Sequence, residues 1–190
     1  STSDTYVGTD GVTVPGVTDR HVYAQTHPAL RGKDVPMVFQ TYAEVEFLKA
    51  EAAIRGWISS SAEEHYNKGV TAAMKMLKQL YPASTAITNA EISAYLAGPG
   101  AYDASKGWEM AMNEYWKATF LNEYEAYANW RRTGYPTLTP TGHPNSVSNN
   151  QIFRRMIYPG GESATNGDNY AAAIARQGAD DFTTRMWWDK

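Results

Sequence analysis

The chain has 190 residues, 17 Lys plus Arg against 20 Asp plus Glu, and a formal charge of −3. Hydrophobic residues make up 43% and charged residues 19%, which fits a packed globular chain and argues against disorder. The balance lacks the basic excess that nucleic-acid binders use against phosphate. With no cysteine, disulfides, thiolate metal sites, cysteine nucleophiles and a lipidated cysteine within these residues are excluded. Six Trp, thirteen Tyr and five Phe give an aromatic fraction of 13%, rich for a helical domain. The chain opens Ser1-Thr2-Ser3-Asp4, without an initiator Met or a signal-type apolar run. It reads as either a processed protein or a piece of a longer one.

In chain order, residues 1–40 carry Gly8, Gly11, Pro15, Gly16, Pro28, Gly32 and Pro36 and show no helical apolar period. Val-containing runs at 11–14 and 21–23 are candidate strands. So long a stretch without regular elements is uncommon inside a compact domain and reads as a segment that packs on the helical core or on missing upstream chain. At Thr41 the pattern turns helical. Thr41 with Glu44 has capping-box spacing, and Ala43, Phe47, Ala50, Ile54 and Trp57 recur at helical intervals, predicting a helix over about 42–57. Ser59-Ser60-Ser61 supplies the N-cap region of a second helix marked by Ala62, Tyr66, Val70, Ala73, Leu77 and Leu80, and Pro82 ends it. The short connector makes an antiparallel hairpin. Ala50, Ala62, Tyr66 and Gly69 stand at the small, small, aromatic, small offsets of a tetratricopeptide (TPR) repeat.

Thr88 and Glu91 open a short helix to about Ala97, closed by Gly98-Pro99-Gly100. A helical region follows over roughly 104–132, with a break near Thr119 and a stop at Gly134 and Pro136. Residues 137–150 read as a polar loop, 169–177 as a short helix, and Trp187-Trp188 so near the end as a buried terminus. At helical spacing, Tyr115, Trp116, Tyr124, Tyr127 and Trp130 are expected mostly in the core.

The phosphate-loop, dinucleotide, zincin and nucleophile-elbow motifs are all missing from the sequence. His21 and His27 share no helical face, so no metal is expected, and His65 reads as a surface or capping side chain. Carboxylate pairs such as Glu44/Glu51, Glu123/Glu125 and Asp180/Asp181 read as solvated faces and caps; a glycosidase built on such a pair ranks last. Glu51 stands out among Ala50, Ala52, Ala53 and Ile54, where a buried carboxylate needs a partner. Arg131 and Arg132 supply guanidinium forks, so a structural pair of Glu51 with one of them is expected. Tyr6, Tyr23 and Tyr102, outside the helices, are weak ligand-platform candidates.

Residues 42–53, Gly56-Trp57 and residues 62–70 resemble the helical core of SusD/RagB-like proteins. So do residues 120–136, which end Arg131-Arg132-Thr133-Gly134-Tyr135-Pro136. Arg154-Arg155, Tyr158-Pro159, Glu162, Asn166, Asn169-Tyr170 and residues 184–189 complete the resemblance, which runs from about Tyr42 to the end. Glu114-Tyr115-Trp116-Lys117 departs from the family's Gln-Lys-Trp-like run. The resemblance implies a mainly α, TPR-like fold with an irregular N-terminal segment (1–40) and long loops, residues 41–190 being the C-terminal helical part of a larger domain. It further implies non-catalytic capture of an oligosaccharide or polysaccharide at the bacterial outer-membrane surface, without a cofactor or metal and without nucleic acid. The implied partner is a SusC-like TonB-dependent transporter, and the membrane is reached only through a lipid anchor outside this chain. A TPR-like scaffold that binds only protein is the alternative.

Overall fold

In the computed structural model, residues 30, 32–140, 142 and 144–189 are described. Residues 32–40 are turns, a bend and irregular chain; residues 1–29 and 31, with the strand candidates, lie outside the described residues. The described residues contain helices and no strand, and divide into two compact units, one reaching Pro136 and one starting at Thr137.

The first unit is built on the hairpin of α1 (Tyr42–Ile54) and α2 (Ala62–Leu80). Thr41 and Glu44 close the capping box: the Glu44 amide donates to Thr41 Oγ1 at 3.1 Å and the Thr41 amide to Glu44 Oε1 at 2.9 Å. α1 stops at Ile54, three residues before the expected Trp57. Gly56 turns left-handed (φ 71°), and the amides of Gly56 and Trp57 donate back to Ala53 and Ala52 at 3.0 and 2.8 Å. These are the two bonds of a Schellman closure, which leaves Trp57 outside the helix.

The TPR-spaced residues account for how closely α1 and α2 approach. Phe47 is fully buried, and a Cβ placed on Gly69 would lie only 2.7–2.9 Å from three of its ring carbons. Only a glycine leaves room for that ring. Phe47 meets Tyr66 edge-on at 6.3 Å and Tyr115 at 6.4 Å, geometries aromatic pairs favour. Ala43, Ala50, Val70, Ala111, Met112 and Ala118 complete this core.

α3 (Asn89–Ala97) has its own capping box from Thr88 and Glu91 and touches α2. The helical region expected over 104–132 is a 3-10 turn at Ala104–Lys106 followed by α4 (Gly107–Ala118) and α5 (Glu123–Thr133). The break comes at Thr119, whose buried hydroxyl donates back to the carbonyls of Tyr115 and Trp116, while Leu121 adopts a positive φ of 72°. α4 packs on both α1 and α2. Of the five aromatics expected in the core, Tyr115 and Trp130 are buried and Tyr127 half-buried. Trp116 is exposed and Tyr124 is 89% exposed. Helical spacing puts Tyr124 on a face that nothing in this unit covers.

The second unit holds α6 (Glu162–Thr165) and α7 (Gly167–Gln177), so the helix expected at Asn169 begins two residues earlier. Ion pairs organise its loops. Arg154 donates to the buried Asp189, Nε reaching Oδ2 at 2.7 Å. Asp180 accepts from Arg155 Nη2 at 3.1 Å, from the Tyr158 amide and from the Tyr170 hydroxyl. Asp189 is buried, as a buried terminus requires, and Trp188 beside it is half-buried, while Trp187 is 84% exposed.

Candidate functional site

Tyr6, Tyr23, His21, His27 and His143 lie outside the described residues. Tyr102 is half-buried, its ring 5.3 Å from that of Tyr66 and its hydroxyl over Gly107, where a Cβ would come within 2.3 Å. Glu51 and Arg132 are brought together: Nη1 and Nη2 donate to the two Glu51 oxygens at 2.6 and 2.8 Å, a bidentate fork. Arg132 Nη2 also reaches Asn129 Oδ1 at 2.8 Å. Arg131 instead lies over the Tyr127 ring at 4.2 Å.

Glu44 is the cap expected of it and Glu51 the expected buried, paired carboxylate, and neither is a solvated face. Glu44, Glu46 and Glu51 are all buried. Burial pushes the Glu44 carboxyl above its ordinary value despite its capping bonds to Thr41. For Glu46, burial pulls the same way but is outweighed by hydrogen bonds from His65, Lys49 and Tyr42, which hold it at about 2. His65 Nδ1 lies 2.6 Å from Glu46 Oε2, and since a carboxylate only accepts, the imidazole donates there. Its Nε2 lies 2.8 Å from Ser60 Oγ. His65 thus ties α2 to α1, a half-buried strut rather than a surface group.

These charges stiffen the hairpin beside a cleft of about 560 Å³ between the start of α1 and one face of α2. Glu64, Lys68, Thr71, Lys75 and Gln79 stand three or four residues apart, so they line one side in a single row. Ala43, Ala72 and Met76 contribute apolar surface. At the mouth Tyr42 is 60% exposed, at the first position of α1. The cleft combines one open aromatic face with amide, hydroxyl and ammonium groups. That is the complement of a sugar, whose C–H face is apolar and whose rim is hydroxyl. Its carboxylate Glu64 is committed to Lys68 at 2.6 Å, whose hydrogen bond holds it below its ordinary range. The row on α2 was readable as a helix face, but nothing in the sequence set Tyr42 against it across the connector.

Compared with known proteins, residues 2–159 match the SusD-like family described as starch-binding and associating with the outer membrane. The chain belongs to the SusD-like family. The match takes in the N-terminal segment from residue 2, where the sequence resemblance began only at Tyr42. This SusD-like chain is similar to a solved chitin-binding protein at 37% identity and a TM-score of 0.77, over 86% of this chain and 36% of that one. A SusD-like protein from Bacteroidetes is 34% identical with a TM-score of 0.79, over 86% of this chain and 32% of that one. A chitin-binding SusD homologue from Flavobacterium johnsoniae is 26% identical with a TM-score of 0.61, over 78% and 36%. The SusD-like chain therefore spans between 32% and 36% of the length of these solved relatives. A comparison with curated proteins finds no match.

Proposed function

We propose that this SusD-like chain takes part in non-catalytic capture of a glycan at the outer-membrane surface. The captured sugar passes to a SusC-like TonB-dependent transporter. In this reading residues 41–190 supply the C-terminal helical part of a larger domain, and a lipid outside this chain reaches the membrane. No helix of the described residues is long and apolar enough to cross one. The observation that carries the reading is the cleft beside Tyr42, where an exposed ring meets a row of polar side chains. The relatives named as chitin-binding point to a chitin-type ligand among the candidates.

Affinity electrophoresis and calorimetry of the full-length protein against N-acetylchitohexaose, amylose and a polysaccharide panel test it. Binding to at least one is expected, with Tyr42→Ala weakening it roughly tenfold while the protein stays folded. Binding to no sugar would refute capture. It would favour a TPR-like scaffold that binds only protein, a reading supported by the exposed Met37 and Phe39 just ahead of α1.

A further inference from the structure

A second aromatic group sits at the opposite end of α1. The Schellman turn places Arg55 with its guanidinium carbon 5.0 Å from the Trp57 ring centre and 4.7 Å from that of Trp108. Its Nε lies 2.9 Å from Glu51 Oε1, on the carboxylate that also holds Arg132. One carboxylate therefore serves two guanidinium groups, and the cluster keeps a net positive charge. The two cations differ in what remains to them. Both terminal nitrogens of Arg132 are engaged by Glu51, and Nη2 also by Asn129. For the terminal nitrogens of Arg55 no acceptor is found among the described residues. The Arg55 side chain is 41% exposed and Trp57 is 69% exposed.

A guanidinium ion-paired at Nε and lying against two indoles presents its four terminal N–H groups in one plane, with part of its ordering entropy already spent. The best complement to that edge is a planar carboxylate taking two parallel hydrogen bonds. Trp57 adds an open indole surface next to it, suited to the C–H face of a sugar ring. We propose that Arg55 and Trp57 form a subsite for an acidic sugar, the uronate carboxylate pairing with the Arg55 fork while the same ring lies on Trp57. This rests on the glycan-capture reading and narrows it to a polymer bearing uronic acid units. An acidic peptide would satisfy the fork and leave the indole unused, so a sugar fits both halves of the group better.

Calorimetry of the full-length protein against hexagalacturonate and hexamannuronate, with N-acetylchitohexaose and hexaglutamate beside them, tests the assignment. At least one uronate oligomer binds, more weakly as salt is raised. Arg55→Gln lowers that affinity roughly tenfold and leaves any binding of N-acetylchitohexaose unchanged. Trp57→Ala, at an exposed position that should not disturb folding, lowers it by a similar factor. Arg55→Lys keeps the charge without the fork and restores only a minor part. Uronate affinity unmoved by Arg55→Gln overturns the subsite, as does binding of the neutral oligomer with no binding of either uronate. Full recovery with Arg55→Lys overturns the role of the fork. Hexaglutamate bound as tightly as a uronate overturns the sugar. Failure to bind any glycan removes the capture reading together with the subsite.

Discussion

Replacing Gly69 with Ala tests the packing of the hairpin at its tightest point. The added Cβ would lie 2.7, 2.8 and 2.9 Å from Phe47 Cε1, Cδ1 and Cζ. Those separations fall far inside van der Waals contact. The ring cannot step aside, because Phe47 is fully buried and Tyr66 and Tyr115 bound it at 6.3 and 6.4 Å. Either the buried rings leave their positions or α1 backs away from α2. Overpacking of this kind costs about 1–3 kcal/mol. Alanine returns about 0.5–1 kcal/mol of helix propensity, so the net loss is about 0–2.5 kcal/mol. Equilibrium urea unfolding followed by circular dichroism measures it. The same substitution in a Phe47→Ala background, where the ring is gone, should instead stabilise by roughly the propensity gain. If Gly69→Ala stabilises the chain with Phe47 in place, the close approach of the two helices is wrong.

Three other substitutions probe the helix ends and the buried charges. Gly134, at the end of α5, has φ 79° and nothing within 4 Å of a would-be Cβ; Gly134→Ala should therefore cost about 1 kcal/mol from backbone strain alone, read by thermal unfolding, and a neutral result would refute the left-handed cap. Glu51→Gln leaves the Arg132 fork without its carboxylate, and because Arg132 is partly solvated the loss should be about 2 kcal/mol, below that of a fully buried pair; a change under about 0.5 kcal/mol would show the pair to be incidental. Glu46, held at about 2 against an ordinary 4.5, adds stability that is complete above pH 4.5 and drains away as the pH falls toward 2, about 3 kcal/mol in all. The raised Glu44 runs the opposite way, its penalty relieved by acid. Urea unfolding of wild type and Glu46→Gln at neutral and acid pH should therefore converge in acid, and parallel curves would refute the network.

The helices were legible where local chemistry decides them. Thr41 with Glu44 and Thr88 with Glu91 announce their boxes by spacing, and Pro82 and Gly134 mark their ends. The Trp57 boundary was missed because periodicity carried on through Gly56, whose left-handed φ is a property of the chain's path and not of the apolar pattern. Exposure was the weaker inference. Tyr115 and Tyr124 look alike in a helical stripe, yet Thr119 and Leu121 redirect the chain between them, so one is buried and the other open. The burial of Glu46 was hidden for a related reason: its partner His65 lies nineteen residues away across the connector. The cleft has the same origin, since Tyr42 and the row on α2 become neighbours only once the hairpin closes.

The Phe47 ring seated over Gly69 also fixes the axial register of the hairpin. Sliding α2 by one turn would bring Tyr66 or Ala73 under the ring in place of the glycine, and neither leaves the space. The two ends of α1 are consequently held at a set separation. Tyr42 opens the helix and Arg55 with Trp57 follows its last turn, thirteen residues on, or about 20 Å along the axis. Both ends present an aromatic surface with polar company. A polymer that touches both is gauged for length as well as for chemistry, and the glycine notch between them keeps that gauge from drifting.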